Sequence, residues 1–185
     1  MENKLFETLK RVVALLEKQG FRYAIIGGIA NQMWGQARFT YDIDIKLFVP
    51  DTDYAGIRET LTSAFPESGR PELPLNPLIV SVNIRNVIVD FLLATPGYEE
   101  QIITRAVRTT IADLPIWVCT AEDLIIQKAL ANRAKDWQDI EGIVNEQRKC
   151  LDNDYIEEWL TQFAEILDQP ELLSRYQRIW QTRVA

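Results

Sequence analysis

The 185-residue sequence contains no histidine. Catalytic Ser-His-Asp and Cys-His arrangements, metal sites built on imidazole and ribonuclease mechanisms that need a histidine base are therefore excluded. Any proton transfer must use a carboxylate, lysine, tyrosine, cysteine or metal-bound water. The absence of one residue type thus leaves acidic side chains as the main candidates for catalysis.

Cysteine and long apolar runs are also scarce. Cys119 and Cys150 are the only two cysteines and lack metal-ligand spacing, so we interpret them as reduced structural thiols. No stretch approaches the roughly 20 apolar residues that span a bilayer. Residues 1–4 lack the basic and then apolar layout of a signal peptide. We therefore expect a cytoplasmic protein with no membrane partner.

Basic residues are outnumbered by acidic ones, 20 to 27, which gives a formal net charge of −7. This balance argues against a protein that holds nucleic acid by bulk charge, although it leaves room for a small basic groove. It also suits a cationic small substrate. The apolar fraction of 47% is ample for a core, and the length predicts one domain, with or without a helical appendage.

A glycine pair between two predicted strands is the first feature with functional content. An apolar strand over residues 23–26 breaks at Gly27 and Gly28, and a short helix over residues 29–34 follows. Adjacent glycines at such a junction let the backbone approach an anion closely, and the helix start offers free N–H groups to a phosphate. The alternative is that the glycines serve only a tight turn.

Two aspartates open the next predicted strand, which covers residues 42–48. Because strand side chains alternate between faces, Asp42 and Asp44 point the same way and Ile43 points into a core. Two carboxylates on one face repel each other unless a cation lies between them. Ligand sets made only of oxygen suit a hard cation such as Mg²⁺.

A third aspartate lies in a predicted β-hairpin. Residues 79–84 and 87–93 alternate in polarity around a two-residue turn. On the second arm Asp90 lies between Ile88 and Leu92, on the face opposite to the other four apolar residues. An aspartate in the middle of an apolar strand is costly unless it is paired or binds a metal. We interpret Asp90 as a third metal ligand. The alternative is a charge that keeps an edge strand soluble.

Helical periodicity accounts for most of the remaining chain. It predicts a helix over residues 2–19, one capped by Asp51 and one from Thr95 to Val107. Residues 66–77 hold four prolines and predict a loop, either a lid or an ordinary surface loop. The five tryptophans are assigned mostly to the core.

The C-terminal third reads as helical. A short strand ends at Val118, and Thr120 caps a helix with Asp123 three residues on, as in a capping box. We therefore divide the chain into a catalytic core over residues 1–119 and a C-terminal helical region over residues 120–185, packed together as one unit.

The combined pattern resembles the nucleotidyltransferase superfamily that shares the polymerase-beta-type fold. Its signature is an apolar residue before Gly-Gly or Gly-Ser, then Asp-x-Asp, then a third Asp on a later strand. Within it, the sequence is most similar to the AbiEii/AbiGii-type nucleotidyltransferases of toxin–antitoxin and abortive-infection systems. The shared layout is GG…R.T.DID, with a downstream stretch from Glu122 to Asp139. The resemblance implies an α/β (α+β) fold with a short mixed sheet flanked by helices.

The reaction implied by this resemblance is transfer of a nucleoside monophosphate from an NTP to an acceptor hydroxyl, with loss of pyrophosphate. Two Mg²⁺ ions are expected, with Mn²⁺ as a substitute. The implied catalytic and metal-binding residues are Asp42, Asp44 and Asp90. The implied nucleotide-binding residues are Gly27, Gly28, Arg38, Thr40 and Lys128. Many relatives carry serine where this chain has Gly28, so phosphate binding here depends on backbone N–H groups.

Several functions remain open at the level of the sequence. The acceptor is a protein, a tRNA end or a small molecule, and an aminoglycoside- or lincosamide-like acceptor would suit the acidic balance. The second hypothesis is a binding module of a two-component system, with a cognate toxin or antitoxin as partner and slow or lost catalysis. The third is a structural protein whose aspartates are merely solvated.

Overall fold

The computed structural model describes residues 2–68 and 76–182, and the chain divides into two compact units. The first comprises Phe39–Cys119 together with the chain up to Ile29, and the second comprises Ala30–Arg38 together with the chain from Thr120. The elements of the first unit, in chain order, are α1 (Glu2–Gln19), β1 (Tyr23–Ile25), the start of α2 (Gly27–Trp34), β2 (Asp42–Leu47), α3 (Tyr54–Ala64), β3 (Ile79–Ile84), β4 (Val87–Leu93), α4 (Tyr98–Arg105), β5 (Val107–Ile111) and β6 (Leu114–Val118). The second unit contains the rest of α2 and the helices α5 (Ala121–Ala131), α6 (Ala134–Gln147), α7 (Asn153–Ile166) and α8 (Glu171–Thr182).

A six-stranded mixed sheet of order β3-β4-β2-β1-β6-β5 forms the centre of the first unit. Strand β2 runs parallel to β4 and antiparallel to β1, while β3 and β5 pair antiparallel with β4 and β6. The predicted mixed sheet flanked by helices is confirmed. So is the predicted hairpin, because Arg85 and Asn86 both have positive φ, as a tight two-residue hairpin turn requires.

The two faces of the sheet differ in burial. Strand β4 alternates between buried and more exposed side chains, with Phe91 fully buried and Asp90 half-buried. The Phe91 ring stacks on that of Phe65, just after α3, with centroids 6.3 Å apart. Arg11 of α1 lies over the Phe65 ring. Helices α1 and α3 therefore cover the apolar face, and the opposite face carries the aspartates.

Two predictions about local structure are wrong. Asp51 does not cap α3: it lies in a 3-10 turn with positive φ, and the carboxylate of Asp53 accepts the N–H of Gly56 at 2.9 Å instead. The helix predicted to reach Val107 ends at Arg105, because Val107 begins strand β5. Pairing with β6 decided this, since residues 107–111 carry no strong pattern of their own.

The tryptophans are less buried than predicted. Trp137 alone among the five is fully buried in the part of the chain that is described, while the other four are partly exposed. The central part of the predicted loop, residues 69–75, lies outside the described residues; Pro66–Ser68 form a 3-10 turn. None of the described helices combines the length and apolar character that a membrane span needs.

The second unit is a helical assembly with a cap at its start. Thr120 accepts the backbone N–H of Asp123 at 3.1 Å, as predicted for the first turn of α5. The Tyr155 hydroxyl of α7 donates to the Asp123 carboxylate at 2.8 Å, which ties α7 to α5. The buried Asp123 is thereby hydrogen-bonded on both carboxylate oxygens.

One buried ion pair lies two residues beyond the aspartates of β2. The Lys46 ammonium, only 6% exposed, lies 2.5 Å from the Glu99 carboxylate of α4. Burial raises the pKa of Glu99, but the charge of Lys46 and hydrogen bonds from Lys46 and Thr95 outweigh it and hold the pKa below its ordinary value of 4.5. This pair joins α4 to the aspartate-bearing face of the sheet.

We predict that Glu99→Gln lowers the free energy of unfolding by about 3 kcal/mol at pH 7, since it leaves the buried Lys46 ammonium without its counter-charge. Because the folded-state pKa of Glu99 is depressed, its contribution is present above about pH 4.5 and is lost as the pH falls through the folded-state pKa. Urea unfolding of wild type and Glu99→Gln at pH values from 7 downwards should show that the difference in their free energies of unfolding becomes smaller. Glu100→Gln, one residue along α4, is the control.

Candidate active site

The strand register places two of the predicted site residues side by side. Asp44 of β2 pairs with Asp90 of β4 in the parallel ladder, so both side chains point to the same face of the sheet at neighbouring strands, about 4.8 Å apart. Asp42 lies two residues earlier on β2, on the same face, opposite Ile88. We call the face that carries Asp42, Asp44 and Asp90 the acidic face.

Hydroxyl groups hold two of these carboxylates. The Thr40 hydroxyl donates to Asp42 Oδ1 at 2.6 Å. The Ser81 hydroxyl, on the edge strand β3, donates to Asp90 Oδ1 at 2.5 Å. Such short O–H···O⁻ bonds are charge-assisted and orient the carboxylate that accepts them.

The donor chemistry of Asp42, Asp44 and Asp90 fits a hard divalent cation, since all three supply carboxylate oxygens. The geometry of the acidic face is not that of a preformed cage: among residues 2–68 and 76–182, no three His, Cys, Asp or Glu side chains are grouped to hold one ion. Three negative charges repel each other without a cation between them, and hydroxyls occupy one oxygen each of Asp42 and Asp90. Asp42 and Asp90 therefore each keep one carboxylate oxygen that these hydroxyls leave for an ion, on a backbone that already brings the three carboxylates to one face.

The glycine pair packs directly against the acidic face. A Cβ on Gly27 would lie 2.0 Å from Asp44 Oδ2, and a Cβ on Gly28 would lie 2.3 Å from the Thr40 hydroxyl oxygen. Gly27 also has φ of +63°, a conformation that side chains disfavour. Close approach thus requires both glycines, and the turn conformation also requires the one at position 27.

The Gly28–Thr40 contact bears on the predicted role of Thr40 in nucleotide binding. The Thr40 oxygen lies where a side chain at position 28 would begin, so a hydroxyl is present beside the start of α2 without a serine at position 28. A hydroxyl has a single proton, however, and that of Thr40 is donated to Asp42. In this state Thr40 orients Asp42 and does not donate to a phosphate.

We predict that Gly27→Ala lowers the nucleotidyl-transfer rate at least 10-fold, because displacing Asp44 by an ångström misplaces a reacting group. The left-handed φ adds about 1–2 kcal/mol of destabilisation. Gly20→Ala is a matched control: its φ is +71° but its Cβ would meet nothing within 4 Å. It should lose a similar amount of stability in urea and keep its transfer rate. Equal rates for the two variants would contradict this role of Gly27.

Arg38 and Lys128, predicted to contact the nucleotide, meet at one carboxylate in the second unit. Arg38 donates through Nε and Nη2 to Asp139, both at 2.9 Å, and the Lys128 ammonium donates to Asp139 Oδ2 at 2.6 Å. Lys128 is buried and also lies 3.8 Å from Asp136, which Arg133 pairs at 2.6 Å. Lys128 therefore forms ion pairs with two buried aspartates inside the second unit.

Charge balance explains how this network tolerates burial. Burial raises the pKa of Asp139, but hydrogen bonds from Arg38 and Lys128 and their positive charges outweigh it and keep the pKa below its ordinary value of 3.8. Arg38 is 37% exposed on its side chain, whereas Asp139 is 7% exposed. The buried Asp139 carboxylate thus fixes the position of the partly exposed Arg38 guanidinium.

Two residues that orient candidate site residues were not predicted from the sequence: Ser81, which donates to Asp90, and Asp139, which pairs Arg38. For Ser81 the signal was available. A two-residue turn at Arg85 and Asn86 pairs Ile84 with Val87, and counting three residues outwards on each arm brings Ser81 opposite Asp90. For Asp139 no comparable signal exists, since its partner Arg38 is 101 residues away.

Comparisons with known proteins identify the fold. The fold is shared with a nucleotidyltransferase-like protein from Paracoccidioides brasiliensis, described as antigenic, at 17% identity over 95% of this chain and 93% of that one, with a TM-score of 0.60. The antibiotic-resistance factor ANT(2″)-Ia gives a TM-score of 0.67 at 16% identity, over 92% and 97% of the two chains. The lincomycin-bound lincosamide adenylyltransferase LnuA gives 0.55 at 15% identity, over 77% and 96%. The fold is therefore that of the nucleotidyltransferases.

The family itself follows from the sequence. Residues 5–178 match the model of the family described as nucleotidyl transferase of unknown function, DUF2204, and the chain belongs to that family. No protein of curated function matches the sequence. Membership is thus shown for the nucleotidyltransferases as a class, and the AbiEii-type resemblance remains a prediction.

Proposed function

We propose that this protein is a metal-dependent nucleotidyltransferase that moves a nucleoside monophosphate from an NTP to an acceptor hydroxyl. The observation that carries the proposal is the register between β2 and β4, which puts Asp44 beside Asp90 with Asp42 on the same face. Family membership and the shared fold support the reaction class. The glycine turn at the start of α2, in contact with Asp44, supports a phosphate-binding role beside the carboxylates.

In the proposed reaction the acceptor oxygen forms a bond to the α-phosphorus, and the bond from that phosphorus to the bridging oxygen breaks, so that pyrophosphate leaves. Asp42, Asp44 and Asp90 would hold two Mg²⁺ ions, with Mn²⁺ as a substitute. When bound, these ions would neutralise charge on the triphosphate and activate the acceptor hydroxyl. Asp90 would take the acceptor's proton at Oδ2, because the Ser81 proton occupies Oδ1.

The protein's own groups would orient the triphosphate. Backbone N–H groups in the first turn of α2, from Gly27 to Ile29, have no intrahelical acceptor and would donate to phosphate oxygens. Arg38, which Asp139 pairs, is assigned to the nucleotide by the sequence resemblance, and this contact stays a prediction. We assign Lys128 to supporting Asp139 and not to direct nucleotide contact, since its ammonium is buried between two carboxylates.

The acceptor is proposed at the level of chemical class. A small hydroxylated cation suits the net charge of −7, which would raise the local concentration of such a molecule. ANT(2″)-Ia is an antibiotic-resistance factor and LnuA a lincosamide adenylyltransferase, and both have the same fold. A protein hydroxyl or a tRNA end, as in a toxin–antitoxin system, is the other acceptor class.

The test is transfer of label from each of the four NTPs, carrying ³²P at the α-phosphate, in the presence of Mg²⁺ or Mn²⁺. Separate reactions would contain an aminoglycoside, a lincosamide, total tRNA or a cell extract. Transfer of label to any of these acceptors, abolished by chelation, supports the proposal and identifies the acceptor class. Label on a small cation would favour the drug-modifying alternative, and label on tRNA or protein the toxin-like one.

The binding-module alternative has a distinct outcome in the same experiment. A stable partner recovered from the extract with no label transferred to any acceptor would favour a module of a two-component system. A protein that binds neither Mg²⁺ nor Mn²⁺ and has no partner would favour a structural role for the aspartates.

A further inference from the structure

Ser81 lies on the acidic face, directly beside Asp90. Strand β3 alternates between buried Val80 and Val82 and exposed Ser81, so the serine side chain shares the face of Asp90. It is the direct cross-strand partner of Asp90. In antiparallel pairs such partners have Cβ atoms about 5 Å apart, which is within reach for a short hydroxyl.

The Ser81 hydroxyl donates its only proton in the hydrogen bond to Asp90 Oδ1. At 2.5 Å from oxygen to oxygen it falls in the range of charge-assisted bonds to a carboxylate. Asp90 Oδ2 accepts no hydrogen bond from the described residues. One carboxylate oxygen is thereby fixed by the protein, and the other keeps its lone pairs for a ligand.

The neighbouring polar residue on the same strand behaves differently. Asn83, two residues from Ser81 and also exposed, accepts the N–H of Asn86 at 3.0 Å and so serves its own hairpin turn. Ile88, opposite Asn83 and half exposed, offers no polar group. On this face of the hairpin, a hydroxyl and a carboxylate are cross-strand partners only at Ser81 and Asp90, and Asp90 is also the register partner of Asp44.

We propose that Ser81 is a positioning residue that fixes the Asp90 carboxylate so that a single oxygen, Oδ2, faces the divalent cation and the acceptor. This inference rests on the proposed function for its catalytic consequence, but its effect on cation binding stands alone. Partners of metal-binding carboxylates act in this way, and their loss typically costs about 10–100-fold in metal affinity or activity.

The test measures Mn²⁺ binding to the full chain without nucleotide, from the electron paramagnetic resonance signal of free Mn²⁺. Ser81→Ala should weaken binding about 10-fold, whereas Ser81→Thr keeps the hydroxyl, suits a strand and should bind within about 2-fold of wild type. Thr110→Val, which removes a hydroxyl from the exposed face of the opposite edge strand β5, is the matched control and should bind like wild type.

A double-mutant cycle with Asp90→Asn tests whether Ser81 acts through Asp90. In the Asp90→Asn background, Ser81→Ala should have no further effect on Mn²⁺ binding. Unchanged Mn²⁺ binding by Ser81→Ala, a full additional loss in the Asp90→Asn background, or no Mn²⁺ binding by wild type would each overturn the proposal. Wild type that binds Mn²⁺ and shows this cycle but transfers no nucleotide would refute the proposed function and support the role of Ser81.

Discussion

Asp44→Asn should lower nucleotidyl transfer at least 10³-fold while leaving the fold intact. Asp44 is the central member of the acidic face: it pairs in register with Asp90 and its Oδ2 lies against Gly27. Metal-ion stabilisation of the transition state amounts to several kcal/mol, and each 1.36 kcal/mol is about a factor of ten in rate. Replacing one carboxylate oxygen by an amide nitrogen removes a proposed metal ligand and a negative charge from the acidic face.

Stability should respond in a different way from activity. The amide has nearly the shape of the carboxylate, and its neutrality relieves repulsion from Asp42 and Asp90. We expect the free energy of unfolding in urea to change by at most about 1 kcal/mol. Asp113→Asn, in the exposed turn between β5 and β6, is the matched control, since asparagine accepts its φ of +67°. If Asp44→Asn transferred label as fast as this control, the acidic face would not be the catalytic centre.

Lys128→Met should lower the free energy of unfolding by about 3 kcal/mol, as much as Glu99→Gln. The Lys128 ammonium lies 2.6 Å from Asp139 and 3.8 Å from Asp136, with all three side chains at most 7% exposed. Removing one partner of a buried ion pair typically costs about 3–5 kcal/mol, because the remaining charge is left without compensation. We expect the lower end of that range because Arg38 and Arg133 still pair the two aspartates.

Urea unfolding at pH 7 measures this loss, and Lys135→Met, an exposed lysine on the neighbouring helix α6, is the control. The pKa of Asp139 is depressed in the folded state, so the contribution of its ion pairs is present above about pH 3.8 and is lost as the pH falls through the folded-state pKa. The free energies of unfolding of wild type and Lys128→Met should therefore become more similar at acidic pH. A loss at pH 7 no larger than that of Lys135→Met would show that Lys128 is free to leave the network, as nucleotide contact requires.

The parts of the fold that follow from local rules could be predicted from the sequence. The register of the β3–β4 hairpin follows from the two-residue turn and the alternation of valines and polar residues, because a one-residue slip would bury Ser81 and Asp90 and expose Val80 and Val89. Helix α1 was predicted with its observed bounds, since Gly20 ends its periodic pattern with a positive φ.

Other parts could not be predicted, because distant segments decide them. Strand β5 forms by pairing with β6, and its first residue, Val107, was predicted to end a helix. The ion pairs of Lys128 could not be predicted either, since a sequence pattern does not say which carboxylates will surround an ammonium, and its nucleotide contact stays a prediction. Among the candidate site residues, the contacts of Thr40 with Gly28 and of Gly27 with Asp44 depend on how the turn meets β2, which no spacing rule describes.

The sequence by itself determined the chemistry on offer: three aspartates, a glycine pair at a strand–helix junction, and no histidine. It also determined that Asp42 and Asp44 share a face, because strand alternation is a local property of the backbone. Only the tertiary structure decided that β4 lies parallel beside β2 and brings Asp90 level with Asp44. It also decided that Lys128 is enclosed by carboxylates, because long-range pairing and burial depend on the whole chain.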